Sequence, residues 1–180
     1  DMALKFIKRL YEKGLNNYWV SINISPIQLL KEDFCAYLFN AMGTYQIQPE
    51  SVHIEITETV FSSNYDDINK TLGVLKAHGI HISIDDFGTG YSSLSREREL
   101  NINCLKIDKS FIDKLTENEE NSGITGDIIV MAHRLGHTVI AEGVENEKQL
   151  SYLKSHQCDF VQGYYFYKPI QVNEIFDVLL

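Results

Sequence analysis

The stretch Ser83-Ile84-Asp85-Asp86-Phe87-Gly88-Thr89-Gly90-Tyr91-Ser92-Ser93-Leu94 decides how the rest of the chain is read. The run from Ile80 to Ile84 is short, rich in β-branched residues and bounded by Gly79 and an acidic pair, which predicts a buried strand. Asp85 and Asp86 then sit side by side where that strand ends. Adjacent like charges cost free energy unless something positive neutralises them, and a hard divalent cation is the usual partner for oxygen ligands alone. The Gly-Thr-Gly that follows lets the backbone turn sharply and approach a ligand closely. An Asp-Gly turn on a solvated loop explains the same stretch equally well.

Outward from this strand, helical and strand signals alternate. Ala3, Phe6, Ile7, Leu10 and Tyr11 predict a helix ending near Gly14. Tyr18 to Ile24 predicts a strand ending at Asn23, and Ser25-Pro26 starts a second helix. Val52 to Ile56 is a strand carrying Glu55, followed by Thr57-Glu58. Ile68, Leu72 and Leu75 mark a helix face that stops at Gly79. Beyond the acidic pair come a strand at Ile102 to Ile107 with Lys106 inside and Asp108 at its end, and a helix face at Ile124 to Leu135. A strand at Thr138 to Ala141 leads to Glu142, a short helix carries Leu150 and Leu153, and a strand at Asp159 to Val161 leads to Gln162. Val172 to Leu179 gives a closing helix. The stretch from Thr116 to Ser122, rich in Glu and Asn, reads as a solvated loop.

Alternation of this kind implies parallel strands with helical crossovers, in an open doubly wound sheet or a closed barrel. The polar residues at the strand ends favour the barrel. Asn23, Glu55, Asp85, Asp86, Lys106, Asp108, Glu142 and Gln162 all fall at or just past C-terminal strand ends, where a (β/α)8 TIM barrel gathers its active site. An open sheet would concentrate ligands at one switch point. Six strands are two fewer than a complete barrel, so the expected fold class is an α/β barrel that is incomplete.

Size and charge bound the function. At 180 residues the chain suits one domain, residues 1–180, with one core. A net charge of -9 argues against a nonspecific nucleic-acid binder, so DNA is not an expected partner, although acids that hold metals can still bind phosphates. Cys35, Cys104 and Cys158 lack C-x-x-C spacing and suggest neither a disulfide framework nor a zinc knuckle. With no apolar stretch of membrane-span length and no signal-peptide pattern, a cytoplasmic location is expected, while a longer parent could still be anchored.

Taken singly, each polar residue has a structural reading. Asn23 could cap the helix after Pro26, Glu55 could be an exposed strand residue, and Lys106 with Asp108 could be an ion pair. These readings do not explain why all converge on one barrel face. The six histidines are read as surface or strand-end residues.

Together, Ser21-Ile22-Asn23-Ile24-Ser25 with Gln28-Leu29, Glu55-Ile56-Thr57-Glu58, Asp85 through Leu94, Leu105 through Phe111, Ala141-Glu142-Gly143-Val144-Glu145, and Gln162-Gly163-Tyr164 with Lys168-Pro169 resemble the EAL domain family, bacterial phosphodiesterases that open cyclic di-GMP. The segments run in family order across nearly the whole chain. The resemblance implies that Asn23, Glu55 and Asp85 hold one divalent metal and that Asp85, Asp86 and Glu142 serve a second, with Asp85 bridging. It makes Lys106 the residue that orients the attacking water, with Asp108 beside it and Glu142 completing the catalytic group. Glu58 would brace the loop from Phe87 to Ser93, and Gln28 and Gln162 would serve loop and substrate. Carboxylates and an amide oxygen suit Mg²⁺ or Mn²⁺ and disfavour zinc.

The resemblance further implies a homodimer and a parent chain with sensory or diguanylate cyclase domains. The Glu-Ala-Leu motif is absent from the sequence, and so is the pair of strands that would precede residue 1, so weak or no turnover by this chain alone is expected. Uncovered sheet edges would then be open to a partner. The segment from Arg96 to Asn101 also departs from the family, which usually has an apolar residue near Glu97 and a proline near Asn101. Two alternatives stay open: a receptor that holds the dinucleotide without cutting it, and a barrel enzyme with Lys106 as Schiff-base nucleophile.

Overall fold

A computed structural model describes residues 1–61, 64–88, 99–116 and 119–179. Its centre is a parallel sheet of six strands in sequential order: β1 (Val20–Asn23), β2 (Val52–Thr57), β3 (His81–Phe87), β4 (Cys104–Ile107), β5 (Thr138–Ala141) and β6 (Phe160–Val161). The helices are α1 (Met2–Glu12), α2 (Pro26–Leu29), α3 (Phe34–Tyr45), α4 (Tyr65–Ala77), α5 (Lys109–Asp113), α6 (Glu119–Arg134), α7 (Glu147–Ser155) and α8 (Ile175–Leu179). Among the described residues no helix is long and apolar enough to cross a membrane.

The two faces of the sheet have opposite character because strand side chains alternate. Ile54, Ile56, Ile82, Ile84, Leu105, Ile107, Val139 and Ala141 face outward, are essentially solvent-free, and pack beneath helical residues such as Ile68, Leu72, Leu75, Ile129, Ala132 and Leu153. The hydrophobic core therefore lies between sheet and helices. The other face carries Ser21, His53, Glu55, His81, Ser83, Lys106 and Thr138, and it is concave. A flat sheet would hold β1 and β6 about 24 Å apart, five spacings of roughly 4.8 Å. Instead the ring of Trp19, just before β1, meets that of Phe160 in β6 edge-on at 6.1 Å. The six strands thus curl into a half-barrel.

The element boundaries correct several expectations. The second helix is a single turn, α2, capped by Ser25 rather than by Asn23. The longer helix α3 has no counterpart in the sequence reading, although Phe34, Leu38, Met42 and Tyr45 recur at helical spacing and pack against the core. Helix α6 begins at Glu119, inside the stretch read as a loop, whereas residues 117 and 118 lie outside the described residues. Strand β3 runs through the acidic pair to Phe87 instead of stopping before it.

The histidines are less peripheral than expected. His53 stacks on Trp19 at 4.7 Å and on His81 at 4.4 Å inside the N-terminal end of the half-barrel, and His137 is buried. Burial and the neighbouring His81 push His53 down to about 4. Burial and Lys76 lower His81 and His137. A depressed histidine binds its proton less readily folded than unfolded. Its contribution to stability is therefore complete above the ordinary 6.5 and lost as pH falls toward about 4. The urea midpoint should be lower at pH 5 than at pH 7, and His53→Gln should shrink that difference; an equal drop in both proteins would contradict the assignment.

Candidate functional site

Strand alternation would send Asp85 and Asp86 to opposite faces, and a bulge prevents it. Ser83 pairs with Cys104 and Ile84 with Leu105, but the next match is Phe87 with Ile107, so Asp85 and Asp86 together oppose Lys106. Asp86 takes a left-handed conformation, φ 55°, which aspartate tolerates better than most residues. Both carboxylates consequently reach the concave side. Carboxylate oxygens of Asp85, Asp86 and Glu142 lie within 4.8 Å of one another, a spacing that suits a shared cation.

Lys106 is the hub. Its ammonium contacts Glu55 Oε2 at 2.9 Å, Asp85 Oδ1 at 3.0 Å and Glu142 Oε1 at 2.7 Å, with only 4% of the residue exposed. Side chains from β2, β3, β4 and the residue after β5 thus converge on one nitrogen. Burial alone would lower the lysine, but the hydrogen bonds to Glu142, Glu55 and Asp85 outweigh it and raise it well above its ordinary value. The three carboxylates around Lys106 favour its ammonium form, which disfavours the nucleophilic amine that Schiff-base chemistry requires. One ammonium cannot neutralise so many acids. Burial, with Asp85 and Glu55, raises Glu142 despite Lys106, and burial, Asp85 and Asp108 raise Asp86. The excess negative charge is what a bound divalent cation would relieve.

The remaining residues fall at different distances from this hub. Glu55 is buried rather than exposed, and Asn23 ends β1 level with it in the register. Asp108 is not among the ion-pair partners of Lys106; its Oδ1 accepts from Ser110 N at 3.0 Å and caps α5. Glu58 accepts a hydrogen bond from Gly88 N at 3.3 Å, at the base of the loop it was expected to brace, and residues 89–93 lie outside the described residues. The ring of Phe111 covers Gly88, where a Cβ would come within 2.8 Å of it. Of the departing segment, residues 96–98 also lie outside the described residues. Asn101, at the end of that segment, donates from its backbone N to Asn69 Oδ1 at 2.8 Å and so pins the chain to α4. Gln28 is a capping partner, its Oε1 accepting from Ser25 N at 3.0 Å, and it does not join the carboxylates. Gln162 donates to Glu142 Oε1 and lines a cavity of about 580 Å³ with Lys109, Gly163, Tyr164, Tyr167 and Lys168.

Two positioning residues were not singled out in the sequence. Lys109 lays its stem over Gly143, φ +73°, where a Cβ would sit 2.4 Å from the lysine chain, and its ammonium reaches Glu145 at 3.0 Å. Gln149, 2% exposed, accepts from Glu145 N at 2.8 Å and Asn146 N at 3.2 Å and donates to Ile112 O at 3.1 Å. Together they fix the turn that begins at Glu142. The pattern Asn146-Glu147-Lys148-Gln149 is a capping box and was legible as one.

Comparison with known proteins follows the same outline. A family model described as the EAL domain matches residues 1–169. Signaling protein YkoW of Bacillus subtilis is 42% identical over 170 residues, covering 94% of this chain and 21% of that protein. Cyclic di-GMP phosphodiesterase NbdA of Pseudomonas aeruginosa is 33% identical over 177 residues, covering 98% and 23%. The chain thus spans about a fifth of these relatives. Among solved structures, the PaMucR phosphodiesterase in complex with c-di-GMP superposes with TM-score 0.90 at 30% identity, covering 97% of this chain and 70% of that one. The manganese and cy-diGMP complex of Klebsiella pneumoniae BlrP1 gives TM-score 0.80 at 28% identity, covering 91% and 42%.

Replacing Gln149 by Leu strands two backbone N–H groups at the turn, those of Glu145 and Asn146. Denaturant unfolding should show a loss of about 2 kcal/mol with the fold retained, and a loss under 0.5 kcal/mol would show that the turn holds itself.

Proposed function

The chain belongs to the EAL domain family, and from that premise we propose that its concave site cleaves cyclic di-GMP to linear pGpG by water attack assisted by two divalent cations. The observation that carries this reading is the convergence of Glu55, Asp85 and Glu142 on Lys106, with Asp86 turned to the same side by the bulge. The donor set fits hard cations. Asp85, Asp86 and Glu142 would hold one, and Asn23, Glu55 and Asp85 the other, all through oxygen, which suits Mg²⁺ or Mn²⁺.

When bound, such a pair of cations shields the diester charge, generates the nucleophile and steadies the leaving oxygen. The chain's own groups supply the alignment. Lys106, held cationic, would orient water rather than remove its proton, through an N–H released from one of the carboxylates it now meets. Gln162 fixes the Glu142 carboxylate through its amide. Lys168 places positive charge in the adjoining cavity, where Lys109 is already paired with Asp113 and Glu145 and where Tyr164 and Tyr167 offer flat faces to a base. In this reading residues 1–180 act as one EAL-type domain in the cytoplasm, within a larger signalling protein that pairs with a second copy. Full turnover also draws on a Glu-Ala-Leu strand that these residues do not contain.

The full gene product, assayed with Mn²⁺ or Mg²⁺, should convert cyclic di-GMP to pGpG. Asp85→Asn or Glu142→Gln should cut the rate by roughly 100-fold or more. Absence of turnover in a product that carries Glu-Ala-Leu would overturn the reading. A receptor that only holds the dinucleotide would instead bind it undiminished in the presence of chelator, as read by calorimetric titration.

A further inference from the structure

We propose that Lys106 is a resident counter-cation that competes with divalent metal for the acidic cluster. The carboxylates stay assembled before metal arrives, and metal loads against the chain's own ammonium. The inference rests on the two-cation reading above and adds the order of events and its cost.

Three features lead to it. The ammonium has three N–H donors, and each meets a carboxylate from a different strand region: Glu55 at 2.9 Å, Asp85 at 3.0 Å and Glu142 at 2.7 Å. Two of those carboxylates, Asp85 and Glu142, belong to the trio spaced for a shared cation. The lysine is 4% exposed, so charge repulsion between it and an incoming ion is little screened by water or salt.

The competition is electrostatic rather than steric. Lys106 takes Asp85 Oδ1 and Glu142 Oε1, which leaves the second oxygen of each for an ion. Metal affinity is therefore lowered and not abolished. Without the lysine, three carboxylates would face one another with nothing positive between them among the described residues, an unfavourable arrangement that a metal ion would relieve. Lysine and metal are partly interchangeable in holding the interior together.

Wild type and Lys106→Met are titrated with Mn²⁺ alone by calorimetry, and their thermal unfolding is followed in chelator and in Mn²⁺. The variant should bind Mn²⁺ at least about tenfold more tightly, because a like charge has been removed from the site. It should also melt lower in chelator and gain more from Mn²⁺ than wild type does. Should the variant be unfolded in chelator, recovery of its folded circular dichroism in Mn²⁺ supports the proposal, and failure to recover overturns it. Wild-type binding with equal or weaker binding by the variant overturns the competition and leaves the two-cation reading standing. Binding by neither protein overturns both.

Discussion

One ammonium shared by three carboxylates is the interaction on which the concave side of this structure depends. Glu55, Asp85 and Glu142 are brought together by separate parts of the sheet, and Lys106 standing between them offsets their mutual repulsion. The contact is also incomplete as a neutraliser. Asp86 and Glu142 remain raised in spite of it, through burial first and the neighbouring carboxylates second.

The fold makes that crowding tolerable by separating two tasks between two faces. The outward face is a continuous apolar layer of Ile, Leu and Val beneath the helices, and it supplies the burial that holds the sheet. The inward face is thereby released from packing duty and can carry His, Ser, Lys and Glu. Curl brings the inward groups within reach of one another across intervening strands, as the approach of Trp19 to Phe160 and of Lys106 to Glu55 both require. The bulge at Asp85 and Asp86 then adds a carboxylate that regular alternation would have buried among isoleucines.

Much of this was legible in the sequence, and most of the exceptions have identifiable causes. Short β-branched runs between helical stripes located all six strands, and the polar residue at each strand end located the rim of the site. Helix α3 was missed although Phe34, Leu38, Met42 and Tyr45 share one face at helical spacing, and the start of α6 was missed because Glu and Asn in its first turns look like a loop. The role of Asp108 in capping α5, of Gln28 in capping α2 and of Lys109 over Gly143 depends on contacts within a turn or between neighbouring loops. Composition cannot distinguish such contacts from catalysis. The bulge was likewise hidden: two adjacent aspartates are compatible with opposite faces, and only the register shows that they share one.

The central claim is that carboxylates from separate strands cage hard cations beside Lys106. Anomalous diffraction from crystals of this chain grown with Mn²⁺ tests it most directly. The claim predicts a manganese peak coordinated by Asp85, Asp86 and Glu142, with Lys106 still directed at the same carboxylates. Manganese bound elsewhere on the surface, with that trio holding none at saturating concentration, would contradict it.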